Sequence, residues 1–176
     1  MAVIIEVDLM KNFMPFMKES TVTKMVARNN RLCHSLNKLP FIYSREAHFQ
    51  GIGYDRMNFN KTVLIYSRSI HNRPDLQERY NYKVVETPNT VQLDYKYFVL
   101  EYSPTGLKQG KMRMAINIDM QIYLPMFLLK PVTVNFGNDF YNNMNKIAKE
   151  FEGSAWEKKC NENPDFYDFV RRRIKE

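Results

Sequence analysis

Cysteine is scarce in this chain: Cys33 and Cys160 are the only two among 176 residues, and they stand far apart. Neither belongs to a CxxC pair or a Cys/His ligand set, so no structural zinc site is expected and nothing demands a disulfide. Histidine is as sparse. His34, His48 and His71 are scattered, with no HxH or HExxH, so no metal ligands are expected. There is no GxSxG, no GxxxxGK[ST] and no GxGxxG, and no pair of carboxylates stands out as acid and base. The GIG at Gly51–Gly53 is too short to cradle a phosphate and reads as a turn. Neither catalytic residues nor a cofactor are therefore expected. No run approaches the roughly 18 apolar residues of a membrane span. The opening MAVIIEVDLMKNF reaches a glutamate after five apolar residues and has no basic leader, unlike a secretory signal. The expectation is a soluble cytoplasmic protein with reduced thiols. Repeats and low-complexity segments are also missing.

What is abundant is aromatic and flexible apolar: 12 Phe, 11 Tyr and 11 Met. With 44% hydrophobic and 26% charged residues the chain is globular in composition, and its length fits one domain over residues 1–176. Methionine and flat rings suit an irregular apolar space, either core or a cavity for a greasy ligand. A net charge of +7 favours acidic partners: anionic lipid headgroups, nucleic acid or an acidic protein surface. The basic residues are spread, except for Arg171–Arg173, which reads as a solvated helix end. The aromatics follow strand and helix periodicity and so point inward, which argues against nucleic acid.

Residues 3–19 carry Ile5, Leu9, Phe13 and Phe16 at helical spacing, up to a break at Pro15. Residues 21–36 lean toward strand. From 40 to 123 the signals are β: 61–70 and 90–102 are rich in β-branched and aromatic residues. The clearest strand is 111–123, where Met112, Met114, Ile116, Ile118, Met120 and Ile122 alternate with mostly polar residues. That pattern means one buried and one wet face. Pro104–Gly106 reads as the turn of a hairpin. LPMFLLKPV then reads as a loop, and a helical segment occupies about 137–175. Its long helix places Phe136, Phe140, Met144, Ile147 and Phe151 on one face. Ser154 with Glu157 is a capping box for a second helix carrying Trp156 and Cys160. Pro164 opens a third, which buries Phe166, Phe169 or Val170, and Ile174. A sheet with one wet face must cover the other. The fold class is α+β, a curved antiparallel sheet gripping a long C-terminal helix.

The order of four segments resembles the START (StAR-related lipid-transfer) domains of the helix-grip, Bet v 1-like superfamily. These are PFM…S at Pro15–Ser20, LPFIYSRE at Leu39–Glu46, IDMQIYLPMFL at Ile118–Leu128, and the closing FEGSAWEKKCNENPDFYDFV at Phe151–Val170. Asp8–Leu9 resembles the family's acidic-leucine helix opening, and Pro40 with Arg45–Glu46 its proline and Arg–acid dipeptide. Asp119 followed by Leu124–Pro125 is similar to its strand ending. The family usually has further strands before the Asp–Leu helix. The resemblance therefore implies a shortened sheet with an open edge, where a protein partner could pair.

The resemblance implies binding, and transfer between membranes, of a phospholipid- or sterol-class lipid. The site residues it implies are Tyr43, Arg45, Phe49, Tyr66, Phe98, Met114, Ile116, Ile118, Met120, Met126, Phe140, Met144 and Ile147. The loop Leu124–Leu129 would act as a lid, and the protein would be peripheral to anionic membranes. The alternative is a non-catalytic structural subunit of a larger assembly, with a collapsed cavity. A third reading is an enzyme of the polyketide-cyclase or hydratase kind on the same fold. The Arg45–Glu46 dipeptide sends one side chain to each face of its strand. Either the inward one meets a ligand's polar group, or both make ordinary ion pairs within the sheet.

Overall fold

Strand propensity dominates the chain from Met17 to Asp119, and the hydrogen bonds of those strands join into a single curved sheet. The computed structural model describes every residue except 40, 41, 107, 108, 123, 124 and 176; at 126, 128, 129, 131 and 132 it describes the backbone alone. The strands are β1 (Met17–Ala27), β2 (Asn30–Asn37), β3 (Ser44–Arg56), β4 (Thr62–Ser69), β5 (Thr90–Gln92), β6 (Asp94–Gly106) and β7 (Gln109–Asp119). They run in the order β1-β2-β3-β4-β6-β7, each antiparallel to its neighbour. The short β5 pairs in parallel with the start of β3, at Ser44–Glu46, while β4 takes the rest of β3 from Phe49 onward.

The expected helix over 3–19 shortens to α1 (Ala2–Ile5) and a 3-10 turn over Val7–Asn12. The turn serves the sheet. The Asp8 carboxylate accepts from the Val22 backbone N–H at 2.8 Å, and the Lys11 N–H donates to Ser20 Oγ at 3.2 Å. Both contacts shield the outer edge of β1, where a helix would leave strand donors open. Residues 21–36, read as one strand, form the β1–β2 hairpin, turning at Arg28–Asn29. On the opposite edge, β7 has no strand partner on its outer side among the described residues.

The short helices α2 (Met57–Asn60) and α3 (Pro74–Arg79) sit in the connections. Leu76 of α3 packs with Leu32 and Ile70 beneath Tyr80 and Tyr82, covering one face of the sheet. The other face is met by α4 (Met126–Lys149), α5 (Ala155–Glu162) and α6 (Pro164–Lys175). Helix α4 begins eleven residues before the expected Gly137, so the backbone of the expected lid loop is helical from Met126, through Pro131. Prolines flanking an apolar run signalled a loop; Pro125 instead stands at the N-cap, where a missing N–H forfeits little, while Pro131, the sixth helical residue, gives up one hydrogen bond of the helix. Pro40 and Leu124, which carry part of the resemblance, lie outside the described residues.

The helices are fastened around one ring. Phe13 is 3% exposed, with its centroid 5.9 Å from Phe140 and 6.3 Å from Trp156. Met112 and Met114 of β7, with Met144 and Ile147 of α4, close this cluster. Met112 and Met114 of the β7 stripe thus join the cluster that α4 enters. The capping box holds: Ser154 Oγ accepts from the Glu157 N–H at 3.3 Å, and Glu157 Oε2 reaches back to the Gly153 N–H at 2.7 Å. We expect Ser154→Ala to cost about 1 kcal/mol of stability in chemical denaturation. In α6 the buried residue is Tyr167, whose hydroxyl donates to the Glu6 carboxylate; of the expected set, Phe166, Val170 and Ile174 are half-buried, Phe166 against the Phe13 cluster, and Phe169 is exposed.

Candidate functional site: an apolar cavity between sheet and helices

Alternation along β2, β3 and β4 gives the sheet two different faces. Arg31, Cys33 and Asn37, then Arg45, Phe49 and Gly51, then Val63, Ile65 and Ser67 all turn to the helical side. Between that face and helices α1, α4 and α6 lies a cavity of about 570 Å³, predominantly apolar in lining. That volume falls within the ~300–1,000 Å³ of ligand pockets. The core cluster around Phe13 props the helices at one side, so the remaining concave surface stays open. Ile116 on β7 and Phe169 on α6 line the cavity, and each is more than a third exposed.

Six of the thirteen anticipated residues line this space: Arg45, Phe49, Phe98, Ile116, Ile118 and Met120. The others stand elsewhere. Tyr43 is 71% exposed, outside the cavity. Tyr66 follows the opposite parity of β4 from Ile65 and turns to the other face of the sheet. Met114, Phe140, Met144 and Ile147 belong to the cluster around Phe13 and are filled in by each other. The Met126 side chain lies outside the described residues. Sequence reasoning missed the second half of the wall, from Ile4, Met10 and Met14 near the N-terminus to Val170 and Ile174 of α6. The 3.6-residue spacing of α6 signalled an apolar stripe, but nothing in it says whether a stripe meets core or cavity.

The polar groups sit at the two ends of β3. At its start Arg45 is buried. Its Nε donates to the Met120 carbonyl at 2.9 Å and its Nη1 to the Tyr43 carbonyl at 2.6 Å. Among the described residues no carboxylate pairs with it. At the far end of β3, Arg173 of α6 clasps Asp55, Nε to Oδ2 at 2.7 Å, and donates to Asn58 Oδ1 at 3.0 Å. The Arg28 guanidinium lies 5.2 Å and 5.3 Å from the ring centroids of Phe166 and Phe169. Together these fasten α6 over that end of the cavity.

Arg173 holds the Asp55 carboxyl below the usual carboxylate range, helped by the Met57 backbone N–H. A depressed carboxyl stabilises the fold above its unfolded value, and this support disappears as pH falls through its folded value. We expect hydrogen exchange in α6 to rise below about pH 4 in the parent protein. In Arg173→Ala it should be raised already at neutral pH, with the acid step removed.

Burial pushes the Cys33 thiol and the Tyr95 phenol up to about 12 each, so both stay neutral.

The dipeptide partner of Arg45 faces the other way. Glu46 is fully buried on the opposite side of the sheet, where Oε1 accepts from Gln92 Nε2 at 2.5 Å and from the Thr87 N–H at 3.0 Å. Its Oε2 stands 3.4 Å from His34 Nε2. Burial alone would raise the Glu46 carboxyl, but hydrogen bonds from Thr87, His34 and Thr90 outweigh it and hold the carboxyl low. The two members of the dipeptide thus belong to two separate sites.

No protein-family model and no curated protein matches the chain in sequence. Solved structures do match in fold. The crystal structure of human STARD10 aligns with a TM-score of 0.71 at 11% identity, over 93% of this chain and 60% of that one. Human StAR-related lipid transfer protein 5 aligns at 0.60 and 12% identity, over 81% of this chain and 64% of that one. A STAR-related lipid transfer protein from Xanthomonas axonopodis aligns at 0.61 and 10% identity, over 84% and 76%. The chain therefore spans less than two thirds of the length of the two human structures and shares their helix-grip fold. No described helix is long and apolar enough to cross a membrane.

Proposed function

We propose that this chain binds one hydrophobic lipid, of phospholipid or sterol class, in the cavity between sheet and helices, and moves it between membranes without catalysis. The observation that carries this is the combination of an open apolar cavity of about 570 Å³ with a buried arginine at one end. An apolar tail along Phe49, Ile65 and Phe98 would gain roughly 0.8 kcal/mol per buried CH₂. Arg45 would meet the polar group, and a guanidinium lacking a carboxylate partner is the group most in need of one. The net charge of +7 would assist transient docking on anionic membranes, by roughly 1 kcal/mol per well-placed basic residue. Two of the similar structures carry lipid transfer in their names, which agrees with this reading.

The test is direct. Purified protein is incubated with vesicles of phosphatidylcholine, phosphatidylserine and cholesterol, re-isolated and extracted. About one lipid per chain is expected, and protein that returns without lipid removes the proposal. A second reading, a subunit that joins a protein partner, is favoured by the eleven-residue outer edge of β7. Under it the isolated chain would associate through that edge on gel filtration, whereas a carrier would elute as a monomer.

A further inference from the structure

On the face of the sheet away from the cavity, β2 and β3 bring together two of the three histidines. His34 and His48 are cross-strand partners, and Glu46 lies two residues before His48 on the same face of β3. The imidazole rings stand 4.8 Å apart. Taking one ligand atom from each of His34, Glu46 and His48, all three atoms fall within 4.8 Å of one another. The His34 Nε2 to Glu46 Oε2 separation is 3.4 Å. Two ligands sharing a tetrahedral Zn²⁺ at bonds of ~2.0–2.1 Å stand about 3.3 Å apart, so that edge is already formed. The widest gap must close by roughly 1.5 Å to reach the same ~3.3 Å edge, within reach of a small imidazole rotation.

The second observation concerns His48, which is 4% exposed. Its Nδ1 is 2.9 Å from the Tyr82 hydroxyl, and its Nε2 is buried and has no hydrogen-bond partner among the described residues. A histidine with one ring nitrogen held by a hydroxyl and the other orphaned has a nitrogen to offer an ion and an outer support already in place. Leaving such a nitrogen unsatisfied is costly, so something should occupy it.

We propose that His34, Glu46 and His48 form a binding site for a divalent transition ion, with Zn²⁺ as its natural size and charge. Two imidazoles and one carboxylate select Zn²⁺, Co²⁺, Ni²⁺ or Cu²⁺ over Mg²⁺ and Ca²⁺, which prefer all-oxygen sets. Three protein ligands leave a tetrahedral ion one place for water. The ion would tie β2 to β3 beneath the connection that carries Tyr82 and Thr87, both of which already contact the site. It is a brace on the outer face, separate from the cavity, and it stands or falls independently of lipid binding.

The experiment titrates chelator-treated protein with Zn²⁺ against a chromophoric competitor, and repeats with Co²⁺ to read the visible bands of tetrahedral coordination. One ion per chain at micromolar affinity or tighter is expected, with a rise in melting temperature. His34→Gln keeps a hydrogen-bonding group beside Glu46 while removing the imidazole, and His34 is the ligand with some exposure, so the fold should survive. It should weaken Zn²⁺ binding at least 100-fold and abolish the tetrahedral Co²⁺ spectrum. His48→Ala should do the same, and His71→Ala should leave both unchanged. Absence of stoichiometric Zn²⁺ binding in the parent protein overturns the proposal. So does binding that persists unchanged in His34→Gln, because the ion would then sit elsewhere.

Discussion

Ile116→Asp is expected to lower lipid affinity by about 100-fold while leaving the protein folded. Ile116 projects from β7 into the cavity opposite Phe98, and it is partly exposed. A carboxylate there stays hydrated in the ligand-free protein, so folding is little affected. When a lipid tail arrives, the charge must lose its water against an apolar surface, at a cost of several kcal/mol, enough for such a loss. The neighbouring Asn117 supplies the control. It follows the opposite parity of the strand, so Asn117→Asp adds the same charge on the other face and should bind normally. Fluorescent-lipid titration of the two variants separates an effect of position from an effect of charge. Equal affinity in both would mean that the cavity is not where the lipid sits.

Phe13→Ala is expected to give the largest loss of stability, about 3–5 kcal/mol. Phe13 sits between Phe140 of α4 and Trp156 of α5, and its backbone carbonyl accepts from Asn143 Nδ2 at 2.8 Å. Removing the ring opens a void that three separate elements border, and none can collapse into it without moving a helix. The melting temperature should fall on the order of 10 °C. Because this ring fastens the helices that roof the cavity, lipid retention should fall with it. A variant with parent stability would show that the helices are anchored elsewhere.

The sequence made the sheet legible because strand alternation is a local signal. The Met and Ile stripe marks β7 and its inward face, although the strand ends at Asp119 and not at the expected Tyr123, and the capping box at Ser154 marks the start of α5 within a residue. The N-terminal segment misled because Ile5, Leu9 and Phe13 have helical spacing, while their burial is achieved by a short helix and a 3-10 turn whose Asp8 serves the β1 edge. The cavity was half legible. Strand parity places Arg45 and Phe49 on one face without saying which face is inward, and it does not separate Ile116, which faces open space, from Met114, which meets Phe13's cluster two residues away. That distinction depends on how far α4 stands from the sheet, which no single segment encodes. The pairing of His34 with His48 needed the β2–β3 register, although the Glu46-x-His48 spacing was visible as two ligands on one strand face.

The most direct measurement of the central claim is native mass spectrometry of the protein as purified from cells, followed by organic extraction of the same sample. We expect a stoichiometric added mass that extracts as a lipid and that Ile116→Asp does not carry. A bare chain mass, unchanged after incubation with mixed liposomes, would contradict lipid carriage.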